Sequence, residues 1–210
     1  MLTAETMNKN VISPDGAEKE YEDAAFEGLT LKGAAISSKQ FYGCVFKNCD
    51  LTGTAFTSCR FSDCRFVSCN LSLIKVTGSS FSGVEFKDSK LVGVNWTTAS
   101  WPRLKLPGSL QFFNCVISDS NFLGLSLRDS CVTKCLAKGA DFRSTDFSRA
   151  DLSHTDFTDS LFGGTNLTGA DLTQAKNYAI RISDNQVKGA RFSMPEAMAL
   201  LYYLGIKIEN

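Results

Sequence analysis

One histidine, His154, has to serve all 210 residues, and only four prolines punctuate them. General acid–base and zinc chemistry lean on imidazole, so this composition leans away from catalysis. No apolar run approaches the ~20 residues of a bilayer span, and the opening MLTAETMNKN lacks the basic-then-apolar layout of a secretory leader. A cytoplasmic protein without a membrane partner is expected. Net charge is missing as well: 22 Lys+Arg balance 22 Asp+Glu, which excludes a strongly basic nucleic-acid binder. Direct nucleic-acid binding is therefore not expected. Eight cysteines contain no CxxC pair, so zinc-ribbon and thioredoxin-type chemistry lack their spacing.

What the chain does have is phenylalanine at a fixed period. Every fifth residue from Phe26 to Leu106, and again from Phe112 to Leu172, is apolar, and fifteen of the sixteen Phe fall at these two phases. Neither a helix (3.6) nor a strand (2) has that period. Two residues before each centre the side chain is mostly small, as in Ala24, Cys44, Cys49, Thr54, Ala140 and Thr155. Two residues after it, glycine recurs, with twelve of the sixteen Gly at this one phase, as a tight turn with positive φ requires.

A unit whose centre always points inward must turn a corner every five residues, and four corners close a coil of twenty. The twenty-residue stacks are visible. Phe26, Phe46, Phe66 and Phe86 form one series, and Leu31, Leu51, Leu71 and Leu91 another. Identical side chains at a fixed spacing predict core ladders in a solenoid whose coils stack about 4.8 Å apart. The fold class is all-β, with one short C-terminal α-helix.

The pattern divides the chain. Residues 1–21 are polar and aperiodic, an arm or cap; 22–106 form an N-terminal block of repeats. Residues 107–111 break the phase, because Phe112 follows Leu106 by six residues, and the one extra residue resembles a bulge or bend. Residues 112–192 form a C-terminal block. In 193–210, Ser193 and Glu196 read as a capping box opening a helix over about 194–204, apolar on nearly every face. One side of it can cover the open mouth of the rod. The rest, with Met194, Met198, Leu200, Leu201 and Tyr203 as candidate interface residues, predicts a homodimer.

Candidate chemistry is sparse. Seven cysteines occupy the inward small position, where Cys acts as a small hydrophobe interchangeable with Ala, Ser and Thr. His154 falls outward, with no nucleophile motif near it. Asp141, Asp146, Asp151, Asp156 and Asp171 are the candidate acidic surface, yet five-residue spacing sends successive ones to different walls, and only Asp151 and Asp171 stack. No catalytic, metal or cofactor site is expected.

The units ADFRS, TDFSR, ADLSH, TDFTD and ADLTQ resemble those of pentapeptide-repeat proteins, and the resemblance runs over about residues 22–192. It implies a right-handed quadrilateral β-helix. Three stretches, CNLSLIKVTGSSF (69–81), GVNWTTASWPRLKL (93–106) and ARFSMPEAMALLYYLGIKIE (190–209), are similar to the albicidin-, quinolone- and microcin-resistance members. That closer resemblance implies a C-terminally joined dimer that engages DNA gyrase where DNA would lie, and protects it from inhibitors. Charge sits uneasily with full DNA mimicry. Duplex DNA carries one charge per ~1.7 Å. Here residues 28–107 hold ten basic and four acidic side chains, and 108–175 hold five and eight. Mimicry can be local only. A β-helical interaction scaffold with another partner remains the alternative.

Overall fold

The computed structural model describes residues 13–102, 108–202 and 204. They wind into a right-handed, four-sided parallel β-solenoid of about eight turns, ending in one short helix. At about 4.8 Å per coil the rod is ~40 Å long. One wall is a six-stranded sheet made of Ala25–Glu27, Val45–Lys47, Arg65–Val67, Val84–Lys87, Leu110–Phe113 and Val132–Thr133. Each strand is two to four residues long, with the repeat centre buried and its neighbours facing out.

Register follows from identical residues stacking on one another. Phe26 pairs with Phe46, Phe46 with Phe66 and Phe66 with Phe86. Their rings lie parallel-stacked at 4.6, 4.6 and 5.1 Å between centroids. All four are at most 2% exposed. Leu51, Leu71 and Leu91 are likewise buried, whereas Leu31 is only half-buried. The position twenty residues before it, Val11, lies outside the described residues.

The corners lie two residues after each centre. Thirteen glycines there and elsewhere among the described residues have positive φ, including Gly108 just after the phase break. At Gly43 a Cβ would run into the Asp23 carboxylate one coil below, so that corner needs glycine for space as well as for φ +61.

At the phase break the added length is a whole pentapeptide plus the odd residue. Phe86 pairs in register with Phe112, 26 residues on, as do Lys90 with Val116 and Asn95 with Asn121, where rungs away from the break are twenty apart. The ring stack continues across at 5.2 Å. The described walls keep the twenty-residue register up to Trp101, which lies over Phe81 at 6.1 Å, and again from Gly108, whose N–H donates to Arg128 O in the next coil, so the added length falls between Trp101 and Gly108.

The inward small residues do more than fill corners, which extends the packing role expected for cysteine. Thr54, Thr145, Thr155 and Thr165 each donate to the carbonyl oxygen 23 residues earlier, on the centre of the coil below. Cys44, Cys49, Cys59, Cys64, Cys69 and Cys135 aim their thiols at the equivalent carbonyls, at 3.3–3.5 Å. Lys39, 9% exposed, occupies the same position near the rod's start, and its ammonium donates to the Gly16 and Glu18 carbonyls. It ties residues 16–18 to the first coil, and the Tyr21 hydroxyl adds a bond to Ser13 O at 3.0 Å.

The C-terminal helix is shorter than its apolar pattern predicts: it spans Met198–Tyr202. Ser193 does not cap it. Its hydroxyl instead accepts the Gln174 N–H of the coil below, and residues 194–197 form turns closed by bonds such as Ala197 N–H to Ser193 O.

Candidate interaction surface

Among the described residues no group of three or more His, Cys, Asp or Glu could hold a metal ion. The eight cysteines are free, seven of them buried and Cys131 half-buried. Burial pushes the Cys64 thiol up to about 12, so it stays protonated and unreactive at neutral pH. His154 is exposed at a corner, with φ +60. The candidate surface residues lie on the outside of the rod.

The five candidate aspartates occupy the residue just before a repeat centre, and this position explains their abundance. Each carboxylate accepts the backbone N–H two residues on: Arg143 for Asp141, Ser148 for Asp146, Ser153 for Asp151, Thr158 for Asp156 and Thr173 for Asp171. These are Asx turns, in which the side chain stands in for a backbone acceptor and closes the corner. All five are half-buried. The signal for this role was present in the repeat itself, where Asp or Asn directly precedes Phe or Leu.

Their charge is also largely engaged. Asp141 takes two bonds from the Arg143 guanidinium, which hold its carboxyl below the usual range. Asp171 pairs with Arg191, and Asp129 takes a bidentate contact from Arg149 at 2.7 Å. For Asp156, burial raises the pKa, but bonds from Thr158 and Asn177 outweigh it and the net shift is downward. Only Asp151 and Asp171 share a wall, as bridge partners one coil apart. The aspartates do not merge into one acidic face.

The candidate interface residues separate. Met194 is 66% exposed, whereas Met198 and Leu201 are half-buried. Leu200 packs against the solenoid core of its own chain, so that side chain closes the rod's mouth rather than facing outward. Tyr203 lies outside the described residues. Tyr202 and Leu204, not singled out from sequence, are 67% and 49% exposed beside Met194 in the same terminal segment.

Two family descriptions match the chain: a pentapeptide repeat region over residues 39–110, and pentapeptide repeats (eight copies) over 138–174. Together they take in just over half of it. No curated protein matches the sequence significantly. Among solved structures, trypsin-treated QnrB1, a plasmid-mediated fluoroquinolone resistance protein, superposes with a TM-score of 0.69 at 23% identity, covering 91% of this chain and 100% of QnrB1. Full-length QnrB1 gives a TM-score of 0.50 at 24% identity, over 89% of this chain and 100% of that one. HetL, a pentapeptide repeat protein involved in heterocyst differentiation regulation in the cyanobacterium Nostoc, gives 0.50 at 16%, over 81% and 84%. With the period, the square coil and the family matches in agreement, the chain belongs to the pentapeptide-repeat family.

Proposed function

We propose that this chain is a non-enzymatic binding rod that engages a type II topoisomerase, DNA gyrase, in the cytoplasm and protects it from inhibitors. The observation that carries the reading is one of matched length and shape. The rod overlays the whole of a fluoroquinolone resistance protein, and 91% of its own residues take part. The sequence stretches similar to the gyrase-protecting members point the same way. In this reading two copies join through the C-terminal segment. Met194 and Tyr202 supply the exposed apolar contacts there, and Met198 and Leu201 their half-buried support.

Shape rather than charge does the recognition. A ~40 Å rod copying duplex DNA would need more than about twenty negative charges, and this chain has none in balance. Any mimicry is confined to the Asp151–Asp171 wall. The paired charges favour one other reading, a scaffold for a different protein partner, since fold alone does not set function. Supercoiling by purified gyrase in the presence of a fluoroquinolone separates the two. Titrating this protein is expected to restore supercoiling and reduce cleaved complexes. No restoration at molar excess over gyrase contradicts the topoisomerase reading and leaves the scaffold.

A further inference from the structure

At the corner after Leu71 the chain turns through Leu73, with φ +60 and 59% of its surface exposed. Left-handed backbone is unfavourable for a bulky L-residue, and an exposed leucine contributes little to folding. Among the described residues, the other seventeen non-glycine residues in this conformation are all polar or charged. The equivalent corners one coil below and above are Gly53 and Gly93, both with positive φ. Leu73 uses the space that glycine leaves: a Cβ on Gly93 would come within 2.8 Å of its Cδ2.

Beside it lies a shallow hollow of about 310 Å³, walled by Leu73, Ile74, Lys75, Thr77, Gly93 and Asn95. A short 3-10 turn, Trp96–Thr98, capped by the Asn95 side chain, holds the far wall. No carboxylate lines the hollow, and Lys75 makes no ion pair among the described residues. An unfavourable conformation that exposes an apolar side chain next to an uncompensated cation has no folding rationale. It fits a binding contact.

The geometry points to a protein-docking site at this corner. The occupant is a partner segment with one apolar side chain flanked by carboxylates: the apolar group packs on Leu73 and fills the hollow, and a carboxylate pairs with Lys75. The site stands apart from the topoisomerase reading and needs no identified partner to be tested.

The probe is a short peptide carrying a leucine between two glutamates, with a twin in which lysines replace the glutamates. Methyl NMR of the full chain is the readout. The acidic peptide is expected to shift the Leu73 methyls saturably while leaving those of Leu123, 42% exposed elsewhere on the rod, unmoved. The peptide should also shift the Ile74 methyl signals in the same hollow, and Leu73→Asn should abolish that response with an unchanged or higher melting temperature, since Asn tolerates this backbone. Lys75→Gln should weaken binding about tenfold, most clearly at low salt. Absent saturable binding, or equal shifts from the two peptides, overturns the site. So does a lower melting temperature in Leu73→Asn, which would make the leucine a folding contact. If Leu73→Asn instead dissociates an oligomer, the occupant is a second copy and the partner segment is wrong.

Discussion

Phe66→Ala is expected to destabilise the fold by about 3–5 kcal/mol, the range for emptying a buried aromatic site. Phe66 is 2% exposed, and its ring is stacked between Phe46 at 4.6 Å and Phe86 at 5.1 Å. Deleting it opens a void in the middle of a ladder. The hydrogen-bonded coils on either side fix the spacing, so the rod cannot collapse to fill it. Against a typical total of about 5–15 kcal/mol, that loss should lower the melting temperature severely. Lys47→Ala is the comparison. Lys47 is exposed beside the same ladder and pairs only with Glu27 at 3.1 Å, an interaction worth under about 1 kcal/mol. Equal losses in calorimetry would contradict the inward and outward assignment.

Thr155→Val should cost about 2–4 kcal/mol although it barely changes shape. The Thr155 hydroxyl donates to Val132 O at 2.6 Å and accepts the Cys135 N–H at 3.1 Å, with the residue fully buried. Valine fills the same volume, yet it leaves a buried donor and a buried acceptor in the coil below without this partner. Thr155→Ser keeps both bonds and gives up one methyl group, which should cost about 1 kcal/mol. If valine is tolerated as well as serine in chemical denaturation, the small residues serve only as packing, and the inter-coil bridge does not matter.

These two positions show what the repeat made legible. A five-residue period assigns Phe66 inward and Lys47 outward without any coordinates, because the centre of each unit points to the axis of a square coil and the residues directly beside it point away. It does not reveal that Thr155 bridges two coils. That bond depends on which carbonyl lies below, 23 residues back. Lys39 was missed for the same reason: its position repeats the pattern, but its residue type does not. The helix was overextended because Ser193 and Glu196 match a local cap, while the Ser193 hydroxyl is taken by Gln174 in the coil beneath. Tertiary contact overrode the local signal. The aspartates were read as a surface, although their place directly before the centre already fits an Asx turn. Leu73 was not singled out, although the sequence already puts a leucine at a position otherwise held by Gly, Asp, Asn or Ser on neighbouring coils.

The central structural claim is that one ladder runs through the phase break, with the added length falling between Trp101 and Gly108. Amide hydrogen exchange tests it most directly. The N–H groups of Val84, Asp88, Leu91 and Trp96 donate across the break to Ser109, Phe113, Val116 and Asn121. They should exchange as slowly as those of Arg60 and Arg65, which donate within the N-terminal coils. Fast exchange at these four amides, with slow exchange on either side, would contradict the account and divide the rod into two separately stable blocks.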